Sequence, residues 1–171
     1  MVLSALLYVN QSSTDISIVE LVKRSDGLIE ERKPPQRLPS NKVTVLDVYG
    51  YLFYAGARTL ERLLPKPNGT ENPVVILRLR GRTNLGATLV EVLANYANKL
   101  QESHGRLYLT GISEEAYEQM VRTGKLRLTG PVRVYEATAF RGQSTREAHA
   151  DAETWLVGKT SESPSASSFD N

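Results

Sequence analysis

The positions richest in chemistry in this sequence are 81–88, Gly81-Arg82-Thr83-Asn84-Leu85-Gly86-Ala87-Thr88. They follow a β-like run and open a helical one, and their spacing, G-x-x-x-x-G, is that of a phosphate-cradling loop. Thr88 stands where such a loop places its magnesium-binding hydroxyl. Ala87, however, replaces the lysine that reaches the phosphates, and without that cation the motif fails. What is left is a helix start at Gly86 whose N–H groups and dipole suit weak anion or nucleotide binding, set against the plainer reading of a glycine-containing turn that caps a helix. Asp47 closes an otherwise apolar run and reads as a partly buried cap, a partner for a loop amide, or a functional acid. Arg78, Arg80 and Arg82 alternate along a predicted strand and its exit. They form either a basic strip or, as the favoured reading, a solvated sheet edge.

Other reactive arrangements are missing. There is no G-x-S-x-G elbow, no H-E-x-x-H and no close carboxylate pair, so no catalytic constellation is expected and the chain reads as a non-enzyme. The pairs Glu30-Glu31, Glu114-Glu115 and Asp151/Glu153 suit turns and first turns of helices, where negative charge meets the dipole favourably. With no cysteine and only His104 and His149, no metal site is expected. Asn68-Gly69-Thr70 is a glycosylation sequon in form alone.

The elements that must position these residues come from a chain of 171 residues, a length suited to one domain. Hydrophobic residues at 40% and charged residues at 23% permit a single core without disulfides or metals and exclude wholesale disorder. A net charge of +2, with basic residues spread along the chain, leaves no footprint for nucleic acid.

Residues 16–31 read as a β-hairpin around Ser25-Asp26-Gly27, and Pro34, Pro35 and Pro39 then break regular structure. A strand is expected at 43–48 (VTVLDV), followed by a helix in which Phe53, Ala57, Leu60 and Leu64 share a face until Pro65. The run 74–79 (VVILRL) has the unbroken apolar character of a central strand covered on both faces. Leu85, Leu89, Val92, Leu93, Tyr96 and Leu100 line a helix over 86–101 with Gly105 as its stop. A short strand at 107–110 precedes a helix capped by Ser113, with Ala116, Met120 and Val121 inward and Gly124 at its end. The last strand is 131–135. Ser144 and Glu147 make a capping box before a helix whose Ala148, Ala152, Trp155 and Leu156 share a face. Strands alternating with helices predict a small α/β sandwich, its mixed sheet mostly parallel with helices packed on it and the hairpin at an antiparallel edge. Ligands and partners of such folds meet the carboxyl ends of the strands, here loops 49–54, 81–88, 110–113 and 136–144.

Residues 2–9 (VLSALLYV) are too few to span a bilayer, which takes about 20 apolar residues. They read either as a packed or frayed terminus or as the last turns of a longer hydrophobic helix. The expected division is 1–13 as an N-terminal segment, 14–158 as the domain, and 159–171 as a disordered Ser-rich tail.

Three stretches carry a family resemblance: 43–64 (VTVLDVYGYLFYAGARTLERLL), 74–100 (VVILRLRGRTNLGATLVEVLANYANKL) and 105–124 (GRLYLTGISEEAYEQMVRTG). They resemble the STAS domain, and in particular the C-terminal cytoplasmic STAS domain of SulP-family anion transporters. The pattern L-D-V-x-G-x-L-F-x-A-G-A is fairly specific to that transporter branch, and residues 12–35 look like the linker and first strands after a last membrane helix. The resemblance implies a regulatory and interaction domain at the cytoplasmic face of the plasma or inner membrane, modulating transport of sulfate or a related anion or bicarbonate. Its implied partners are the transporter's transmembrane domain and a second STAS domain or a regulatory protein. In the wider family the strand-to-helix loop commonly reads Asp-x-Ser/Thr-Gly, with the hydroxyl phosphorylated in anti-sigma-factor antagonists. Here Gly86, Ala87, Thr88 and Leu89 stand at those positions, so Thr88 keeps the hydroxyl while the acid and the glycine are gone. A free-standing antagonist or signalling adaptor switched at Thr88 is the alternative, and a weak nucleotide-binding domain with no other cofactor is the second.

Overall fold

The computed structural model describes residues 16–128 and 130–162. The expected hairpin forms as β1 (Ser17–Lys23) and β2 (Ile29–Arg32), antiparallel, with Leu21 opposite Glu31. The turn between them is closed by the Arg24 N–H donating to Leu28 O and by the Leu28 N–H donating to the Asp26 side chain. β1 then pairs antiparallel with β3 (Val43–Tyr49), and β3, β4 (Val74–Arg78), β5 (Arg106–Ile112) and β6 (Val132–Glu136) run parallel. The resulting six-stranded sheet has the order β2-β1-β3-β4-β5-β6.

β4 occupies the centre, as its apolar run predicted, because both of its faces are covered. Val75 and Leu77 join the larger core under helices α1 (Tyr54–Leu63), α2 (Gly86–Glu102) and α3 (Glu114–Thr123). Val74 and Ile76 point the other way, into a smaller cluster with Tyr108, Ala148, Ala152 and Leu156 under α4 (Gln143–Glu162). The period of two along a strand thus divides one sequence run between two cores.

Local departures from expectation have simple causes. Phe53 lies just before α1 with an exposed ring, and Leu52 is buried instead. Val121 is exposed, since Ala116 and Met120 already fill the strip that α3 turns inward. The residue that leaves α2 in the left-handed conformation is His104 (φ 57°), not Gly105. Gly105 is needed for space, because a Cβ there would meet the Pro73 carbonyl oxygen at 2.2 Å. Ser113 caps α3 as expected, its Oγ accepting from the Ala116 N–H at 3.2 Å. Ser144 does not cap α4. The helix begins one residue earlier, Ser144 is buried in its first turn, and Glu147 is engaged by the Gln143 side-chain amide at 2.9 Å. α4 also continues to Glu162, past the boundary expected at 159, with the Thr160 and Ser161 hydroxyls bonded back to Leu156 O and Val157 O. The 2–9 segment and residues 163–171 of the Ser-rich tail lie outside the described residues.

Candidate functional site

The four parallel strands deliver their exit loops to one edge of the sheet, and three arginines knit those loops together. Arg78, the last residue of β4, donates to the Asp47 carboxylate on β3 at 2.5 Å, with both side chains largely buried. Arg80 donates to Thr138 O at 3.3 Å and to Phe140 O at 3.5 Å in the loop after β6. Arg82 reaches the other way, donating to Val48 O near the end of β3 and to Gly50 O just after it, both at 2.9 Å. The solvated-edge reading of these residues is therefore corrected. β4 is the centre of the sheet, and its arginines end on carbonyls and a carboxylate of neighbouring segments.

Asp47 is the partly buried cap that the sequence allowed for, its Oδ1 accepting from the Val48 N–H at 3.1 Å. Burial pushes its carboxyl above the ordinary value, outweighing the opposite pull of the Arg78 guanidinium and the Val48 amide. Burial likewise disfavours the charge on Arg82, against the attraction of Asp47. The Arg82 Nε is buried and finds no hydrogen-bond partner among the described residues.

The 81–88 loop places Gly81 (φ 81°) and Gly86 (φ 66°) in the left-handed region, which accounts for glycine at both positions. The helix start at Gly86 differs from an open anion cradle in one respect. Asn84 Oδ1 accepts from the Gly86 N–H at 3.0 Å, and Gln119 Oε1 of α3 accepts from the Leu85 N–H at 3.0 Å. The Gln119 amide in turn donates to Thr83 O at 3.3 Å. Two of the donors that an anion would use are thus engaged by side chains. Gly86, Ala87 and Thr88 are the first three residues of α2, with Ala87 exposed and Thr88 half-buried. His149 lies on α4, 3.6 Å from Glu153, and no His, Cys, Asp or Glu cluster able to hold a metal occurs among the described residues.

The structure brings Asp47, Arg78 and Arg82 to one junction and sets the 81–88 loop beside it. It also reveals what the sequence reading passed over. Gln119 holds the loop from a different helix, with no local signal to mark it. Around the same edge Tyr51, Phe53 and Tyr54 are 67%, 68% and 72% exposed, with Phe140 at 71% on the loop after β6. The signal for the first three was present in the string YGYLFY, which puts four aromatic rings within six residues. Periodicity assigned Phe53 to a core that it does not enter.

A mixed sheet with an antiparallel hairpin at one side, three helices on one face, one on the other, and its exit loops gathered at the carboxyl edge defines an α/β sandwich of the kind that meets ligands and partners along that edge. The sequence profile of the STAS domain matches residues 35–147, and the chain belongs to the STAS-domain family. Among solved structures it is similar to a chain described as the overall structure of SLC26A9, with a TM-score of 0.59 at 12% sequence identity. That likeness, one of fold, takes in 91% of this chain and 27% of the SLC26A9 chain. No curated protein matches the sequence. No described helix is long and apolar enough to cross a membrane.

Proposed function

We propose that this chain is the cytoplasmic STAS domain of a SulP-type anion transporter. On this reading it is a non-enzymatic part that modulates movement of sulfate or a related anion or bicarbonate through protein contacts, first with the transmembrane domain and then with a second STAS domain or a regulatory protein. The observation that carries the reading is the geometry of residues 46–57, the stretch that resembles the transporter branch. Four of its marked positions have a physical task in the fold. Leu46 and Ala57 are fully buried, Asp47 pairs with Arg78, and Gly56 has no room for a side chain, since a Cβ there would lie 2.0 Å from the Tyr51 carbonyl oxygen. Between these fixed points Tyr51, Phe53 and Tyr54 stay exposed and leave an apolar surface at the edge for a partner to cover. The fold relative supports the reading in proportion, because the matched part is 27% of a longer chain. The anion itself belongs between membrane helices, at mid-bilayer.

An antibody to this domain, applied to membrane and soluble fractions of the source cells, tests the proposal. The expected result is a membrane-bound band much larger than the 19.0 kDa of this chain. A soluble band of about that mass overturns it in favour of a free-standing STAS protein.

A further inference from the structure

Four aromatic residues within one short stretch, Tyr49, Tyr51, Phe53 and Tyr54, keep their rings in solvent, and Phe140 does the same on the loop after β6. Single exposed apolar residues are commonplace, whereas a concentration of large rings at one edge marks a surface that something covers. The path of the chain indicates what. β1 runs antiparallel to β3 with Ser17 opposite Tyr49, so the residues before β1 arrive at this same carboxyl edge. Ile16 is packed into it, its Cδ1 3.3 Å from where a Gly56 Cβ would stand. The apolar run 2–9 ends seven residues before Ile16. A fully extended link of that length reaches about 24 Å, so the aromatic edge cannot be far from wherever that run is seated.

The side chains match one kind of surface. Tyrosine and phenylalanine settle at the boundary of headgroup and acyl chain, the ring in the apolar layer and the phenol hydroxyl among the headgroups. Charge at the edge is only partly matched: Arg78 is paired with Asp47, whereas Arg80 and Arg82 end on neutral backbone carbonyls and keep their charge, and Glu31 accepts from the Tyr49 hydroxyl at 2.7 Å.

We propose that the carboxyl edge of this domain rests directly on the lipid headgroup layer, with Tyr51, Phe53 and Tyr54 inserted as its contact. The proposal rests on the reading of the chain as a domain held at a membrane, but it assigns the edge to lipid and not to a protein partner. Because the rings carry the attachment, binding should persist on zwitterionic bilayers and at high salt, with Arg80 and Arg82 adding a salt-sensitive part on anionic ones.

The test uses the full 171-residue chain with vesicles of phosphatidylcholine, alone or with phosphatidylserine. The chain is expected to sediment with both kinds of vesicle, and the triple variant Tyr51→Ser, Phe53→Ser, Tyr54→Ser to lose about tenfold or more in partition. A second variant, Phe53→Trp in a Trp155→Phe background, reports depth. Its emission should shift to the blue and be quenched by lipids brominated near the headgroup end of the acyl chain, while the native Trp155 on α4 is not quenched. An unquenched Trp at 53, no sedimentation of the native chain, or a triple variant that binds undiminished each overturns the lipid assignment, the last by giving the binding to residues 2–9. A large membrane-bound band in the fractionation experiment, together with no vesicle binding, leaves the transporter reading standing and turns the aromatic edge over to a protein surface.

Discussion

Asp47 shows how one residue can be structural and yet perturbed. Its carboxylate is paired with Arg78 at 2.5 Å, but burial is the larger influence and raises its pKa above the ordinary 3.8. An acid whose pKa is higher in the folded state holds its proton longer there, so over that window the native protein binds more protons than the unfolded chain. Its contribution to stability is then greatest at low pH and declines as pH rises from about 3.8 through the raised native value. Asp47→Asn removes this titration and leaves a constant offset from the unpaired arginine. In urea unfolding across the acid range, the stability of the native protein relative to Asp47→Asn should fall as pH rises. A relative stability that climbs with pH would mean that the pull of Arg78 outweighs burial. Thr88 belongs to this scale too. The family resemblance aligns its hydroxyl with a position phosphorylated in other members, but nothing in the sequence marks its half-buried place in the first turn of α2, beside amides already taken by Asn84 and Gln119.

At the scale of elements, the junction between β3 and α1 leaves no room for a side chain at Gly56. A methyl group on Gly56 would overlap the Tyr51 carbonyl and press on Ile16, both of them parts of the edge. Gly56→Ala should therefore cost about 2–3 kcal/mol, read as a lower urea midpoint with an unchanged m-value. A midpoint at the native position would show that the loop gives way freely. The elements themselves were largely legible. Alternation in VTVLDV, the unbroken VVILRL and the Leu/Val/Tyr spacing of α2 each follow from burying one face, both faces or a stripe, and those demands are written locally. What was not legible depends on contacts distant in sequence. Nothing in QSTRE shows that Ser144 is buried within α4 and so does not cap it, nor does RLRGR reveal that Arg82 and Arg80 end on segments 32 and 60 residues away. Phe53 was misplaced for the same reason, because helical spacing extrapolated one residue too far enters the Gly50–Phe53 bend.

For the whole molecule, the two faces of the sheet are unequally covered. α1, α2 and α3 share the larger core, whereas α4 alone closes a cluster built on Val74, Ile76, Tyr108, Ala148, Ala152 and Leu156. Some of its support is polar. Tyr135 donates to Asp151 at 2.8 Å, Thr110 and Thr145 share a hydrogen bond at 3.2 Å, and the Arg106 guanidinium lies 4.5 Å over the Trp155 ring. The Tyr108 hydroxyl is buried in this cluster with no partner among the described residues. Local opening follows the extent of apolar burial, so in native-state hydrogen exchange the amides of α4 should exchange well before those of α2. Equal protection of the two helices would show that the smaller cluster is as cohesive as the larger. The guanidinium clasps at the opposite end of the sheet carry a different consequence. Because Arg80 and Arg82 tie the loops after β3 and β6 to the central strand, these loops have surrendered most of their conformational freedom before anything settles on them. Whatever the edge meets, little ordering entropy is left to be lost on contact, and a modest area of ring surface can suffice for attachment.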